Sequence, residues 1–290
     1  LASIIFLVSV ALLVLTLLFG PEIKGARRWI AIGGLSIQAS EFIKPAFAVV
    51  SAWMFAEHCK GEGFPGKAAA VFLYVIVVAL LLLQPDLGMA IVVSTVWFVQ
   101  FFLAGLPLLW VVTLGVAGVA GLIGAYLVFP HVASRVDRFL DPSSGDSYQV
   151  EKAIEAFMNG GVLGRGPGEG TVKEVLPDAH TDFVFAVAGE ELGLAACLII
   201  VALFAFVVLR GFGRLMQERS LFVLIAGSGL LVQFGIQAII NMASSLRMMP
   251  TKGMTLPFIS YGGSSLLGLA LGMGMMLALT RRRAASEDTL

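Results

Sequence analysis

Leu176-Pro177-Asp178-Ala179-His180-Thr181-Asp182-Phe183-Val184-Phe185-Ala186-Val187-Ala188-Gly189-Glu190-Glu191 decides how the chain is to be read, because a polar segment dense in titratable groups here runs straight into an apolar helix. The 52 residues from His131 to Asp182 hold nine of the nineteen carboxylates and two of the three histidines, while most of the remainder is apolar. An ionisable group at the edge of hydrocarbon is costly unless it is hydrated, paired or lining a cavity. Asp182, at the junction, is therefore a functional candidate on energetic grounds alone.

Outward from that stretch, 58% of residues are hydrophobic and only 13% charged, and the mean hydropathy is +0.94. The class is an all-α polytopic membrane helical bundle, with residues 1–290 forming a single membrane domain. Nineteen basic and nineteen acidic residues balance. No basic stripe exists to neutralise phosphates in number, which argues against nucleic acid as a partner. Cys59 and Cys197 have neither CxxC spacing nor histidines nearby, so both read as buried small apolar residues rather than as a disulfide or a zinc site. The chain opens at Leu1 within an apolar run that has no initiator Met and no basic n-region, which reads as a truncated start rather than a signal peptide.

Eight spans are expected. Leu1 to Pro21 is free of charge apart from the terminus, Ser40 to Glu57 forms the second span and Ala68 to Gln84 the third. From Leu87 to Pro130 there is no charge, and Gly105-Leu106-Pro107 divides this stretch into two spans. Residues 131–182 form one large extracytoplasmic loop, after which Phe183 to Leu209, Ser220 to Leu246 and Phe258 to Thr280 complete the set. Eight crossings put both ends on one side, and Arg281-Arg282-Arg283 marks that side as cytoplasmic. By parity, 58–67 and 210–219 are also cytoplasmic, whereas 21–40, 84–86, 131–182 and 247–257 face outward. Eight Lys or Arg then fall inside and eleven on or near the outer side. Cations kept on the disfavoured side suggest that something anionic is handled there.

Six ordered motifs carry a resemblance over essentially the whole chain: Lys24-Gly25-Ala26-Arg27-Arg28-Trp29, Ser40-Glu41-Phe42-Ile43-Lys44, Gln84-Pro85-Asp86-Leu87-Gly88, the glycine-rich run 160–170, residues 176–191, and Pro257-Phe258-Ile259-Ser260-Tyr261-Gly262-Gly263-Ser264-Ser265. The sequence resembles the SEDS family, the bacterial shape, elongation, division and sporulation polymerases typified by FtsW and RodA. Gly168-Glu169-Gly170 followed by Lys173, Leu176-Pro177-Asp178-Ala179-His180, and Pro250-Thr251-Lys252-Gly253 are closer to the division branch. The family has ten transmembrane helices with both ends cytoplasmic. This chain resembles the last eight, a difference that preserves parity.

The resemblance implies a peptidoglycan glycosyltransferase of the bacterial inner membrane with its active site on the periplasmic face. It would join the disaccharide of an undecaprenyl-pyrophosphate-linked glycan to the sugar hydroxyl of a second lipid II, with inversion. A sugar hydroxyl is a poor nucleophile, so a carboxylate must take its proton in the transition state; Asp182 matches the family's essential aspartate. The departing pyrophosphate needs its growing charge stabilised, and Arg27, Arg28, Lys44, Lys173 and Lys252 are on or near the correct face. His180, Thr181 and Ser260 complete the candidate substrate contacts. The partners implied are lipid II, a class B penicillin-binding protein, other divisome proteins and membrane lipid. The resemblance leaves room for a divalent cation, Mg or Mn, to assist the pyrophosphate, though no ligand cluster beyond scattered carboxylates marks a site for it.

Each of these residues also has a plainer reading. Thr181 or Asp182 can serve as the N-cap of the sixth span. Glu190 lies eight residues on, about 12 Å along a helix, beyond the ~5–9.5 Å of glycosidase carboxylate pairs, so Glu190 and Glu191 read as buried polar contacts with neighbouring helices or with the Arg210 side. Glu41 and Lys44 share a helix face and can neutralise each other, and Arg27 and Arg28 beside Trp29 can anchor the interface. The six glycines of 160–170 lack the flanking strand and Gly-Lys-Ser/Thr of a nucleotide loop. A mobile lid, a partner-docking loop or a plain flexible loop remain open there. Residues 258–265 can be close helix packing through small residues. Two other function classes also stand: a flippase for the lipid-linked precursor, for which ionisable groups should spread through the membrane depth, and a noncatalytic scaffold.

Overall fold

A computed structural model describes residues 1–22, 26–32, 34–61, 63–105, 107–140, 148–250 and 253–281. Eight long helices appear where eight spans are expected: α1 (Ala2–Phe19), α2 (Ala39–Lys60), α3 (Gly66–Leu83), α4 (Leu87–Leu103), α5 (Leu108–Val128), α9 (Val184–Leu215), α10 (Leu221–Ser245) and α11 (Gly263–Thr280). Of these, α1, α3, α9, α10 and α11 are each long and apolar enough to cross a membrane. α4 is only 17 residues long, and α2 carries Glu41, Lys44 and Glu57 within its span. A short hairpin, β1 (Ile30–Ile32) and β2 (Leu35–Ile37), pairs antiparallel between α1 and α2.

Local chemistry sets several helix ends. Gly61 closes α2 in the left-handed region, where glycine pays no steric cost. Asp86 opens α4 by accepting from the Met89 amide at 3.3 Å, and Ser220 opens α10 by accepting from Val223, which satisfies amides that have no intrahelical partner.

α2 and α10 form the axis of the bundle. α1, α3, α4 and α11 pack on α2, while α4, α9 and α11 pack on α10. Ile43, Phe47, Phe55, Leu81, Val93 and Ile225 are buried in their shared core. Gln100 of α4 links three helices inside it: its Nε2 donates to Ala48 O at 2.6 Å and Ile225 O at 3.3 Å, while its Oε1 accepts from Ser51 Oγ at 2.6 Å. A primary amide so deep in apolar surroundings is tolerated because both its ends are satisfied.

The two ends of the bundle sort as parity predicts. At one end, Cys59 Sγ approaches Ala104 O at 3.8 Å and Arg214 donates to Thr280 O at 3.1 Å. At the other, Arg28 donates to Gln84 O and Pro85 O, Gln38 N to Ser264 Oγ and Tyr261 N to His180 O.

Several expectations are corrected. Cys59 is exposed and only Cys197 is buried, since Cys59 falls in the last turn of α2 rather than on its packed face. Among its described residues, the segment 131–182 also carries helices of its own, α6 (Pro130–Leu140), α7 (Tyr148–Gly160) and α8 (Val172–Val175). The eighth span starts at Gly263 rather than Phe258, because Phe258 takes a positive φ of 60° and Ser260 Oγ takes the Leu256 amide at 2.7 Å.

The sixth span extends to Leu215 but is broken at Gly193, with φ 77° and ψ 179°. A straight helix of 32 residues would run about 48 Å, against a hydrocarbon core of about 30 Å. The break lets Phe185 and Cys197, on either side of it, share one cluster with Ala238, Met242 and Leu256. The helix bonds lost at the break are replaced by the glycine-rich run. Arg165 N and Gly166 N donate to Glu190 O and Glu191 O, both at 3.0 Å, and Leu194 N and Ala195 N donate to Gly161 O and Val162 O at 3.0 and 3.2 Å. Backbone groups at the edge of a membrane must find such partners.

Candidate active site

Asp182 sits where the end of the 131–182 segment meets the chain between α10 and α11. Its amide and that of Thr181 donate to Asp178 O at 3.0 and 3.1 Å, closing a turn. Thr181 Oγ1 donates to the same carbonyl at 3.1 Å. Helix α9 begins beyond this turn, with Phe183 at the N-cap position and no cap bond from its side chain, and the Thr181 hydroxyl is spent on Asp178 O rather than on a helix amide.

Three contacts weld this turn to residues 253–261. Ser260 Oγ donates to Thr181 O at 2.5 Å, Tyr261 N donates to His180 O at 2.9 Å, and Gly253 lies close enough to Asp182 that a Cβ there would stand 3.3 Å from Oδ2. Asp182 is half-buried and His180 exposed. Ser260 and Thr181 thus meet each other through the backbone. Lys252 lies outside the described residues.

The floor of this junction is a stripe on α10. Gln237 and Asn241 are one turn apart, so their side chains are neighbours. Asn241 Nδ2 donates to Asp182 O at 2.9 Å and Met254 O at 2.6 Å. Gln237 Nε2 donates to Thr255 O and Oγ1, both at 3.2 Å, and its Oε1 accepts from Lys44 Nζ at 2.9 Å. Lys44 is 2% exposed and also pairs with Glu41 Oε2 at 2.9 Å. The structure shows the ion-pair reading of Lys44, with its ammonium shared between Glu41 of α2 and Gln237 of α10; contact with a diphosphate stands as a proposal beside it.

The remaining candidate cations are distributed differently. Arg28 is a quarter exposed; it donates to the carbonyls of Gln84 and Pro85 and lies 3.8 Å from Asp86 Oδ2. Burial pushes the Asp86 carboxyl above its ordinary range, and the Arg28 guanidinium opposes that shift. Arg27 is exposed and 3.8 Å from Glu22. Lys173 is held by Glu191 Oε1 at 2.6 Å and Gly168 O at 2.8 Å. That hydrogen bond to Glu191 raises the Lys173 pKa above the usual lysine value. Its contribution is complete below the ordinary value and is lost only as pH rises through the raised one, so the attachment survives the neutral range.

Glu190 and Glu191 pair not with the Arg210 side but with the glycine-rich run. Glu190, fully buried, accepts from Val172 N at 3.0 Å and Thr171 N at 3.3 Å and lies 3.6 Å from Arg165. Glu191 accepts from Gly168 N at 2.9 Å. Gly160 packs so closely on α9 that a Cβ would fall 1.9 Å from Gly189 O. Hydrogen bonds and close glycine packing tie the segment to α9 along its length. Glu190→Ala should strand these donors and cost about 3 kcal/mol; the check is a lowered melting temperature together with new proteolytic cleavage between 160 and 175. Unchanged melting and cleavage would refute the bracing role.

Gln237 and Asn241 were not anticipated. The available signal is amide side chains at a four-residue interval within an otherwise apolar span, which marks a polar stripe on one helix face. Among the described residues, no group of three or more His, Cys, Asp or Glu is arranged to hold a metal ion.

Comparison with known proteins agrees with this architecture. The family model FtsW/RodA/SpoVE, described as "Cell cycle protein", matches residues 1–285. The "Probable peptidoglycan glycosyltransferase FtsW" of Caulobacter vibrioides is 48% identical over 282 residues, covering 97% of this chain and 72% of that protein. Its namesake from Tolumonas auensis is 36% identical over 289 residues, covering 95% and 74%. Among solved structures, a peptidoglycan synthase complex that coordinates polymerization and crosslinking is similar with a TM-score of 0.78 and 31% identity, covering 99% of this chain and 82% of that one. The rod shape determining protein RodA of Thermus thermophilus is similar with a TM-score of 0.66 and 31% identity, covering 97% and 77%. A family match across nearly all of the sequence, with helices, junction and pinned segment in one order, has one conclusion: this chain belongs to the FtsW/RodA/SpoVE family of cell cycle proteins.

Proposed function

We propose that this protein is a peptidoglycan glycosyltransferase that polymerises lipid II on the outer face of the bacterial inner membrane during division, with Asp182 as general base. The observation that carries this reading is the half-buried Asp182 at the meeting of residues 180–182 with 253–261, one end of a bundle whose relatives are named peptidoglycan glycosyltransferases. A carboxylate so placed is fixed by its backbone yet reachable, which is what proton abstraction from a bound hydroxyl requires. Arg27 and Arg28, both outside the helices, keep 48% and 24% of their side-chain surface exposed to meet a diphosphate, and stabilising that leaving group is electrostatic work. Lys252 joins them on sequence grounds.

Arg28, Asp86, Glu41, Lys44 and Asp182 gather towards one end of the bundle rather than along its depth, a distribution that favours polymerisation over transport. A class B penicillin-binding protein is the expected partner, in line with the synthase complex among the structural relatives. The test uses purified protein, with that partner, and fluorescent lipid II in proteoliposomes. Glycan polymer is the expected product. Movement of lipid II between leaflets without polymer would replace this reading with the flippase.

A further inference from the structure

Asn241 is a primary amide, 1% exposed, in the last two turns of α10. Its Nδ2 spends both hydrogens on backbone carbonyls from two different segments, Asp182 O at 2.9 Å and Met254 O at 2.6 Å. Asp182 and Met254 are far apart in sequence, and each belongs to a connection without helical bonds of its own at that point. Between them, Gly253 holds a φ of +61° and leaves its Cα beside Asp182 Oδ2, where a Cβ would stand 3.3 Å away. One side chain therefore sets the spacing of the two strips of backbone that flank the Asp182 carboxylate.

We propose that Asn241 is the positioning residue of the proposed base, acting through the Asp182 and Met254 carbonyls to fix the direction in which the Asp182 carboxylate faces the acceptor sugar. This inference rests on Asp182 being that base. The residue type follows from the bonds made. Two carbonyls must be met by two N–H groups from one planar head, and an ionised aspartate of the same shape would present oxygen to both carbonyls and add a negative charge beside Asp182. A carboxylate misplaced by about 1 Å loses on the order of a hundredfold in rate, so a residue that touches no substrate can govern turnover.

The test compares Asn241→Ala, Asn241→Asp, Asp182→Asn and Ser245→Ala in the full-length protein with its transpeptidase partner, following polymerisation of fluorescent lipid II against substrate concentration. Ser245 Oγ donates to the Asn241 backbone carbonyl at 3.0 Å, so Ser245→Ala perturbs the same turn without touching the amide head. The expected result is a kcat per folded protein at least ~10-fold lower in both Asn241 variants, with KM within about twofold, a melting temperature lowered because two buried carbonyls lose their donor, and Ser245→Ala near wild-type rate. Full kcat in Asn241→Ala, or a loss that appears only in KM or only in proportion to unfolded protein, overturns the positioning role while leaving the base reading intact. Wild-type activity in Asp182→Asn overturns the base reading and this inference with it. Should both Asn241 variants fail to fold, Gly253→Ala reads the same latch from its other side: the added methyl would stand 3.3 Å from Asp182 Oδ2 at a residue with φ +61°, shifting the Met254 strip and crowding the carboxylate, and an unchanged kcat there overturns the inference.

Discussion

Replacing Asp182 by Asn should abolish glycan polymerisation, with kcat falling by about 10²–10⁴ while the protein folds normally. The substitution is isosteric, and the turn that carries residue 182 is held by backbone donors and acceptors: its own amide to Asp178 O, its carbonyl to Asn241 and the neighbouring Thr181 carbonyl to Ser260. Asparagine keeps every one of these backbone bonds, so the turn should persist and the main loss should lie in chemistry. The magnitude is that of removing a positioned general base. Steady-state polymerisation and lipid II binding, measured on the same preparation, check it. Retained turnover in Asp182→Asn would remove the base from the scheme and return the flippase and scaffold readings to contention.

Lys44→Met should be the most destabilising single change among the sequence-nominated cations, at about 3–5 kcal/mol. Lys44 is 2% exposed and its partner Glu41 4%, with 2.9 Å between them. Removing one member of a buried pair strands the other charge in a low-dielectric interior. The variant also strips Gln237 Oε1 of its donor, which loosens the stripe beneath the active junction. Glu41→Gln combined with Lys44→Met removes the stranded charge and should recover most of the loss, because two neutral side chains of similar size replace a pair whose desolvation offset much of its attraction. Thermal unfolding in detergent of the two single variants and the double variant measures this. A Lys44→Met protein that melts like wild type and loses only affinity for lipid II would overturn the pair and restore Lys44 to the diphosphate.

Much of the architecture was legible before any coordinates. Apolar runs separated by Gly-Pro and charged turns located the eight long helices of the described residues, five of them long and apolar enough to cross a membrane, because hydrocarbon forces every backbone polar group into a helix and excludes charge from all but the ends. Parity then sorted the connections, and the contacts at the two ends of the bundle keep that sorting: Cys59 with Ala104 and Arg214 with Thr280 at one, Arg28 with Pro85 and His180 with Tyr261 at the other. The glycines of 160–170 stood out by composition, but what they do depends on α9. Gly160 permits contact with Gly189, and the run repairs the backbone at Gly193.

Composition and spacing alone determined the class and the order of the long helices and marked Asp182 as an acid at the end of an apolar run, since each of these follows from hydrocarbon's intolerance of unpaired polar groups. Only the tertiary structure decided which charges are already spent. Lys44 is taken by Glu41 and Gln237, Lys173 by Glu191, and the Asp182 turn is seated on Asn241, 59 residues away. A side chain's availability depends on what folding brings beside it, and partners from distant segments leave no periodic trace in the chain.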